Sequence, residues 1–528
     1  MSSNNPGTEQ DARSIRPSQP QGVKLQALVQ QFGLSSDAPE AAFQVVATGT
    51  TLDSRDVRVG DLYLALAGAK RHGAEFAMQV QERGAVAILT DEEGLALSRA
   101  AGVTVPVLVA PGDPRSIAGE VSAVVYSTAQ LEAKVFGVTG TNGKTSVVYL
   151  LAELMRAAGL KIGLSSTAER RVGDTVITSA LTSPEAPELH GLLARMIEQQ
   201  VEGIALEVSA HATVRHRIDG VNFDVVAFNN FSRDHLDDFG DLETYFAAKL
   251  ALFVPEHAAQ AVVVVDGPFG QRIARESQVP VTTLATEYGV NADWHLAITS
   301  QNLDGVSFVL QGPKGAHFRG SVPVFGRFMA ENAALALIML HRAGISLERI
   351  SAGLTNGNIP VYIPGRLEAM NPKAPLERAP RFYVDYGHTP GSFEATLDAL
   401  AEVAPGRIIF MFGADGDRDA EKRGEMGRIA AKGSDIVIIC DYHPRSEPPA
   451  AIRAQLIEGA HSARHAEVIE VPDAREAIRR AISLAKPGDV ILYAGPGHED
   501  FQEIAGTQLA YSARDEVRGA LREAGMLE

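Results

Sequence analysis

The sequence predicts an α/β protein of three domains, with a P-loop-type central domain on a mainly parallel sheet and a Rossmann-like C-terminal domain. Three observations carry this. At 528 residues the chain exceeds one hydrophobic core, and about three domains is the natural division. A short apolar strand at 135–138 runs into a glycine-rich turn and then into a helix, where Val147, Leu150, Leu151, Leu154, Met155 and Ala158 share one face. In the last third, four apolar strands alternate with helices, the pattern of a parallel sheet.

In chain order, residues 1–22 are rich in Ser, Pro, Gln, Asn and Gly and read as a disordered tail. Residues 23–132 form the first domain, with helices over 25–32, 77–83 and 117–126 and strands over 62–66 and 85–89. The triplet Asp53-Ser54-Arg55 lies in a turn that either faces water or takes a polar ligand.

The second domain, 133–363, opens on the turn. Gly137, Gly140 and Gly143 let backbone N–H groups approach an anion at a helix N-terminus, with Thr141, Asn142, Lys144, Thr145 and Ser146 beside them. The strict P-loop spacing fails, because Val138 stands six residues before Lys144, but the lysine followed by two hydroxyls keeps nucleotide binding as the reading. Thr182 or Ser183 is expected to cap a helix. An apolar strand ends in Glu207, with Ser209 and His211 behind it, either a strand-end acid in water or a Mg²⁺ ligand. The strand at 225–228 leads into a polar loop holding Ser232, Arg233, Asp234, His235 and Asp237, and Lys249 sits beside the apolar stripe of the helix that follows. Hairpins are expected over 294–318, and a helix opens near Asn332.

The third domain, 364–528, has strands over 381–385, 407–412, 435–440 and 489–493. Each is followed by a charged loop, so one sheet edge forms a binding face. Composition excludes several classes. The net charge of −17 argues against nucleic-acid partners and anionic membrane surfaces. A lone cysteine, Cys440, excludes an internal disulfide, and it reads as buried filler. No apolar run is long enough for membrane insertion and no secretion signal is recognisable, so a cytoplasmic protein is expected.

Taken together, the turn at 140–145, Glu207 with Ser209 and His211, the run from Asn230 to Asp237, Lys249, Pro364-Gly365-Arg366, the run from Asp385 to Pro390, Gly416 to Asp419 and Gly497-His498-Glu499 resemble the Mur ligases, nearest to their tripeptide-synthetase (MurE) type. The resemblance runs from about residue 46, through Leu52-Asp-Ser-Arg55, to about residue 515. It implies an ATP-dependent ligase of peptidoglycan synthesis, expected as a monomer. Such an enzyme phosphorylates the terminal carboxylate of UDP-MurNAc-L-Ala-D-Glu, and the acyl phosphate is attacked by the amine of a diamino acid.

By the same resemblance, Lys144, Lys249 and His235 are catalytic. Gly140, Thr141, Asn142, Gly143, Lys144, Thr145, Ser146, Asn332, Arg366 and Asp385 hold ATP. Ser54, Thr182, Ser183, Ser209 and Arg217 hold the UDP-sugar peptide, and Arg418, Asp441, His443, Arg445, Gly495 and Glu499 hold the amino acid. Thr145, Glu207, His235 and Lys249, the last carbamylated to N6-carboxylysine, ligate Mg²⁺. The family's diaminopimelate loop reads Asp-Asn-Pro-Arg, where this chain has Tyr442-His443-Pro444-Arg445. Arg445 with Glu499 leans to meso-diaminopimelate, with L-lysine or L-ornithine the alternatives. Other readings are a folylpolyglutamate-like amide ligase, which Thr145 opposes, and a non-catalytic nucleotide-binding regulator, which Lys144, Glu207, His235 and Lys249 oppose.

Overall fold

The computed structural model describes residues 15–178, 181–463 and 465–527. The tail expectation for residues 1–14 lies outside the described residues. From residue 15 it is corrected. Arg16 is buried and donates through Nη1 to both carboxylate oxygens of Asp61, at 2.9 and 2.7 Å. The backbone N–H groups of Ser18 and Gln19 donate to Glu198 at 3.1 Å. Composition suggested disorder, and two long-range carboxylates overrule it.

Three main sheets organise the chain. The first is parallel, in the order β1 (Gly49–Thr51), β2 (Asp61–Leu64), β3 (Ala87–Thr90), β4 (Val107–Val109). The helix α1 (Ala118–Val125) packs beneath it through Val121 and Val125.

The central sheet has eleven strands. Chain order gives β5 (Lys134–Thr139), β6 (Ile162–Ser165), β7 (Glu169–Val172), β8 (Thr175–Thr178), β9 (Gly203–Glu207), β10 (Val225–Phe228), β11 (Ala261–Val264), β12 (Val281–Ala285), β13 (Trp294–Asn302), β14 (Gly305–Gln311) and β15 (His317–Val322). Their spatial order is β8-β7-β6-β9-β5-β10-β11-β12-β13-β14-β15. The run from β6 to β13 is parallel and both ends turn antiparallel. Strand β5 is apolar on both faces because helices cover both. On one side lie α2 (Lys144–Ala157) and α5 (Arg327–Arg342); on the other lies α3 (Ala186–Glu198). Each fully buried leucine or isoleucine of α5 contributes roughly 1.5–3 kcal/mol of burial. The expected cap at Thr182 or Ser183 is corrected: Glu185 precedes α3 and no side chain caps it.

The third sheet runs β16 (Glu368–Ala369), β17 (Arg381–Asp385), β21 (Val490–Ala494), β18 (Ile408–Phe412), β19 (Ile436–Ile439), β20 (Glu467–Glu470). All neighbours are parallel except β16 with β17. Strands β5, β9, β10, β17, β18, β19 and β21 carry the site on the loops at their carboxyl ends.

Candidate active site

The turn after β5 is held by the loop after β10. Thr141 N donates to Asn230 O (3.0 Å), Asn142 N donates to Asn230 Oδ1 (2.9 Å), and Ser232 N donates to Thr141 Oγ1 (3.0 Å). Gly143 has φ +85°, and a Cβ there would sit 2.3 Å from Asn229 Nδ2. Only glycine fits both that conformation and that space. Gly143 precedes α2 without a side-chain cap, and the first turn holds no acid, so its N–H groups are left for an anion. The Lys144 Nζ folds back on the turn, donating to Gly140 O (3.0 Å) and Thr141 O (2.9 Å). Burial pulls its ammonium below the usual lysine range, ahead of the opposing pull of Glu207 and Asp234.

A cavity of about 480 Å³ opens over this turn. It is lined by residues Thr141 to Ser146, by Thr167, Thr182, Glu207, Asp234 and His235, by Asn332, and by Arg366, Asp385, Tyr386 and His388 from the third sheet. All the residues expected to hold ATP lie here or, for Gly140, immediately beside it. Arg366 Nη2 donates to Thr145 Oγ1 (3.3 Å), and its guanidinium lies 4.1 Å from the centre of the Tyr386 ring. Asp385 accepts from the backbone N–H groups of Leu367 (2.9 Å) and Gly387 (2.8 Å). Gly365 (φ +62°) allows residues 497 and 498 to press against it, where a Cβ would meet the Gly497 carbonyl carbon at 2.1 Å.

The acids gather on one wall. Glu207, 3% exposed, accepts from Thr167 N (2.9 Å) and Thr167 Oγ1 (3.0 Å). Asp234 is buried, yet its carboxyl is held below the usual range, because His235, His388, Lys422 and Lys144 outweigh the cost of burial. Thr145, Glu207 and Asp234 are hard oxygen donors, the set that suits Mg²⁺.

Lys249, 1% exposed on α4 (Leu242–Leu250), donates to Gly140 O (2.8 Å) and stands 4.4 Å from the centre of the Tyr245 ring. Burial, then repulsion from Lys144, holds its amine well below the ordinary lysine value. The neutral amine is the form that attacks CO₂ to give a carbamate and a proton.

His235 has φ +54° and is lowered to about 4, first by loss of hydration, against the attraction of Asp234. His211 and Asp238, which the sequence reading did not place in the site, stand beside it. His211 Nε2 lies 3.0 Å from Asp238 Oδ2, and the ligand atoms of His211, His235 and Asp238 all fall within 4.8 Å of one another. Two imidazoles and a carboxylate are softer than the Glu207 wall. A histidine four residues after Glu207, in the short helix Ala210–Val214 that follows its strand, was the available signal for His211.

The residues expected to hold the UDP-sugar peptide divide. Thr182 lines the cavity, with its Oγ1 3.1 Å from Thr167 Oγ1. Ser183 Oγ donates to Glu207 O (2.8 Å), and Ser209 caps a short helix by accepting from Ala212 N (3.2 Å). Arg217 pairs with Glu185 (2.7 Å) and donates to Ser183 O (3.3 Å). Ser54 lies apart in the turn after β1, where Arg55 closes a fork on Asp53.

The expected amino-acid residues also divide. Glu499 accepts from Tyr386 OH (3.2 Å), Tyr442 OH and His443 Nε2 (2.8 Å). Arg445 donates through Nη2 to Asp415 (3.3 Å). Gly495 N donates to Asp385 O (3.0 Å) and leaves open space before the Tyr442 ring. The Asp441 carboxylate pairs with Arg453, which also holds Glu470. Arg418 reaches instead towards the central sheet, 3.7 Å from Asp237 and 3.9 Å from Asp238.

Comparisons with known proteins place this geometry. The Mur ligase family, catalytic domain, matches residues 46–134. The Mur ligase middle domain matches 138–340, and the Mur ligase, glutamate ligase domain matches 365–497. The chain is 51% identical to the UDP-N-acetylmuramyl-tripeptide synthetase of Leifsonia xyli subsp. xyli, over 97% of this chain and 99% of the relative. It is 38% identical to the UDP-N-acetylmuramoyl-L-alanyl-D-glutamate--2,6-diaminopimelate ligase of Streptomyces coelicolor, over 96% and 98%. A solved 2,6-diaminopimelate ligase of the same name superposes with a TM-score of 0.64 at 28% identity, covering 96% of this chain and 99% of that one.

Proposed function

The chain belongs to the Mur ligase family, and from that premise we propose that it joins a diamino acid to UDP-MurNAc-L-Ala-D-Glu, using ATP and releasing ADP and phosphate. The observation that carries the reading is the shared cavity. The uncapped start of α2, the acids Glu207 and Asp234, and Arg366 from the third sheet all face one space.

A carboxylate is a poor electrophile until its oxygen becomes part of a leaving group. In the proposed first step, a carboxylate oxygen of the D-glutamyl residue attacks the γ-phosphorus of ATP. The bond to the β-phosphate oxygen breaks and ADP leaves. In the second step the amine of the diamino acid attacks the acyl carbon. Inorganic phosphate departs with the bonding electrons and the amine loses a proton.

Catalysis of such a transfer is positioning plus charge stabilisation. The first-turn N–H groups of α2 and Lys144 bind the phosphates, and Arg366 meets negative charge beside Thr145. Thr145, Glu207 and Asp234 of the cavity lining would hold Mg²⁺, with His235 and carbamylated Lys249, which stands at the Gly140 carbonyl behind the turn, at a second ion. Bound there, the ions would neutralise charge on the phosphoryl oxygens. Thr182, Ser183, Ser209 and Arg217 are proposed to orient the peptide carboxylate towards the turn.

The test is ADP release with UDP-MurNAc-L-Ala-D-Glu, ATP, Mg²⁺ and a panel of diamino acids. Turnover that needs all components supports the reading. Tight binding of the UDP-sugar peptide without turnover under any amine would leave a binder, and absence of that binding would remove the reading altogether.

A further inference from the structure

The reading of the acceptor pocket that follows rests on the ligase function proposed above. The Glu503 N–H donates to His443 Nδ1 (2.8 Å), so that nitrogen is an acceptor and the ring proton sits on Nε2. From Nε2 it is donated to Glu499 Oε2 (2.8 Å). Tyr442 OH donates to the same oxygen, and Tyr386 OH donates to Oε1 (3.2 Å). The Tyr442 and His443 ring centres lie 4.0 Å apart, and Phe501 backs His443 at 5.2 Å. The Glu499 carboxylate is thus fixed in an aromatic frame by three donors. A carboxylate has about four acceptor positions, so one remains for a ligand, and the group that suits it is a cation.

Arg445 is the side chain that could draw in a second carboxylate, and its surroundings oppose that. Its Nη2 donates to Asp415 (3.3 Å) and its Nε lies 3.7 Å from Glu503. Asp415 and Glu503 therefore set two carboxylates against the one guanidinium of Arg445. An incoming distal carboxylate adds a like charge to that set, whereas an incoming ammonium offsets it.

We infer that the third amino acid is a diamino acid whose side chain ends in an amine without a second carboxylate, of the L-lysine, L-ornithine or L-2,4-diaminobutyrate kind, and that meso-diaminopimelate is discriminated against. Glu499 receives the distal ammonium. Tyr386, Tyr442 and His443 are positioning residues that hold Glu499, and Asp415 and Glu503 exclude a carboxylate. This reverses the preference that Arg445 suggests in the sequence alone.

The test measures kcat/KM by ADP release from the full-length enzyme with L-lysine, L-ornithine, L-2,4-diaminobutyrate, meso-diaminopimelate and L-norleucine. At least one of the first three is expected to exceed both of the others by about 100-fold or more. Equal or better use of meso-diaminopimelate overturns the inference, and so does equal use of norleucine, which lacks the distal ammonium. Binding of the UDP-sugar peptide is measured in parallel by calorimetry. If it binds but no amine is used, the inference fails; if it does not bind, the ligase reading beneath fails first. A second arm uses the double variant Asp415→Asn with Glu503→Gln. Its kcat/KM for meso-diaminopimelate is expected to rise about tenfold with the KM for ATP unchanged. No rise would overturn the excluding role of the two acids.

Discussion

The turn at residues 140–146 and the side chains around Glu499, proposed here as the phosphate and amine ends of one site, are built differently. The turn takes its shape from backbone: glycines at positive φ, N–H groups at the start of α2, and asparagines that tie one loop to another. The pocket takes its shape from side chains brought together from separate loops, with Tyr386, Tyr442 and His443 all directed at one carboxylate. A backbone cradle tolerates changes around it and recognises what every ATP carries. A side-chain frame is retuned by single substitutions. The difference teaches which half of the enzyme is fixed by the reaction and which is free to change its substrate.

Substitutions can break or sharpen that contrast. The largest effect is expected from Lys144→Ala, which should lower ADP release by about 10³-fold whichever amine is supplied. An effect confined to one amine would mean that the two halves are not separable. Lys249→Ala is expected to lower kcat on the order of 100-fold. In ¹³C-bicarbonate the unsubstituted enzyme should show a carbamate carbon resonance that the variant lacks. Tyr442→Phe should act on the other half alone, raising the KM for the amine about tenfold and leaving the KM for ATP in place, as one hydrogen bond to a charged group is lost. A fall in kcat with no change in amine KM would sink the positioning role.

The smallest effect concerns stability and belongs to neither half. His190, buried between Thr128 Oγ1 (2.7 Å) and Asp219 O (2.9 Å), is lowered to about 4 by burial. His235 and His498 are lowered to about 4 as well. Below pH 6.5 the unfolded chain takes up protons that the folded chain refuses, so stability is present above that pH and is lost as pH falls towards 4. For His190 the loss at pH 5.5 is roughly 1.4 kcal/mol. Melting temperatures at pH 7.5 and 5.5 should fall by several degrees, and His190→Gln should flatten the slope.

The same contrast explains what the sequence made legible. The phosphate turn could be read because its chemistry resides in residue types at fixed spacing. Strands such as β5, β9, β10, β17, β18, β19 and β21 could be read because both faces are buried. Strands β6, β7, β8, β12 and β16 were not named, nor were β4 and β20. Strand β4 has only three residues, and β20 begins and ends in glutamate. The tautomer of His443 depends on a backbone N–H sixty residues away, which spacing cannot reveal. Arg16 was assigned to a tail because its neighbours are polar, and only the fold brings Asp61 to it.

The union of the second and third sheets has two unlike sides. Near the crossover at 359–368, Phe325 packs edge-on against Tyr383 with ring centres 5.1 Å apart, and Tyr383 OH donates to Leu303 O (2.9 Å). Across the cavity the contacts are ionic: Arg233 with Glu421 (2.6 Å), Arg418 with Asp237 (3.7 Å) and Lys422 with Asp234 (3.9 Å). In a closing motion the first side would serve as the pivot and the second as the latch. Swinging the third sheet away would break the exposed pairs Arg233–Glu421 and Arg418–Asp237, worth about 0–1 kcal/mol each, together with the buried Lys422–Asp234 pair. Were the third sheet to swing on that side, added salt should loosen the exposed pairs of the latch more than the pivot, where Arg381 pairs with Asp304 at 3.2 Å from a buried position.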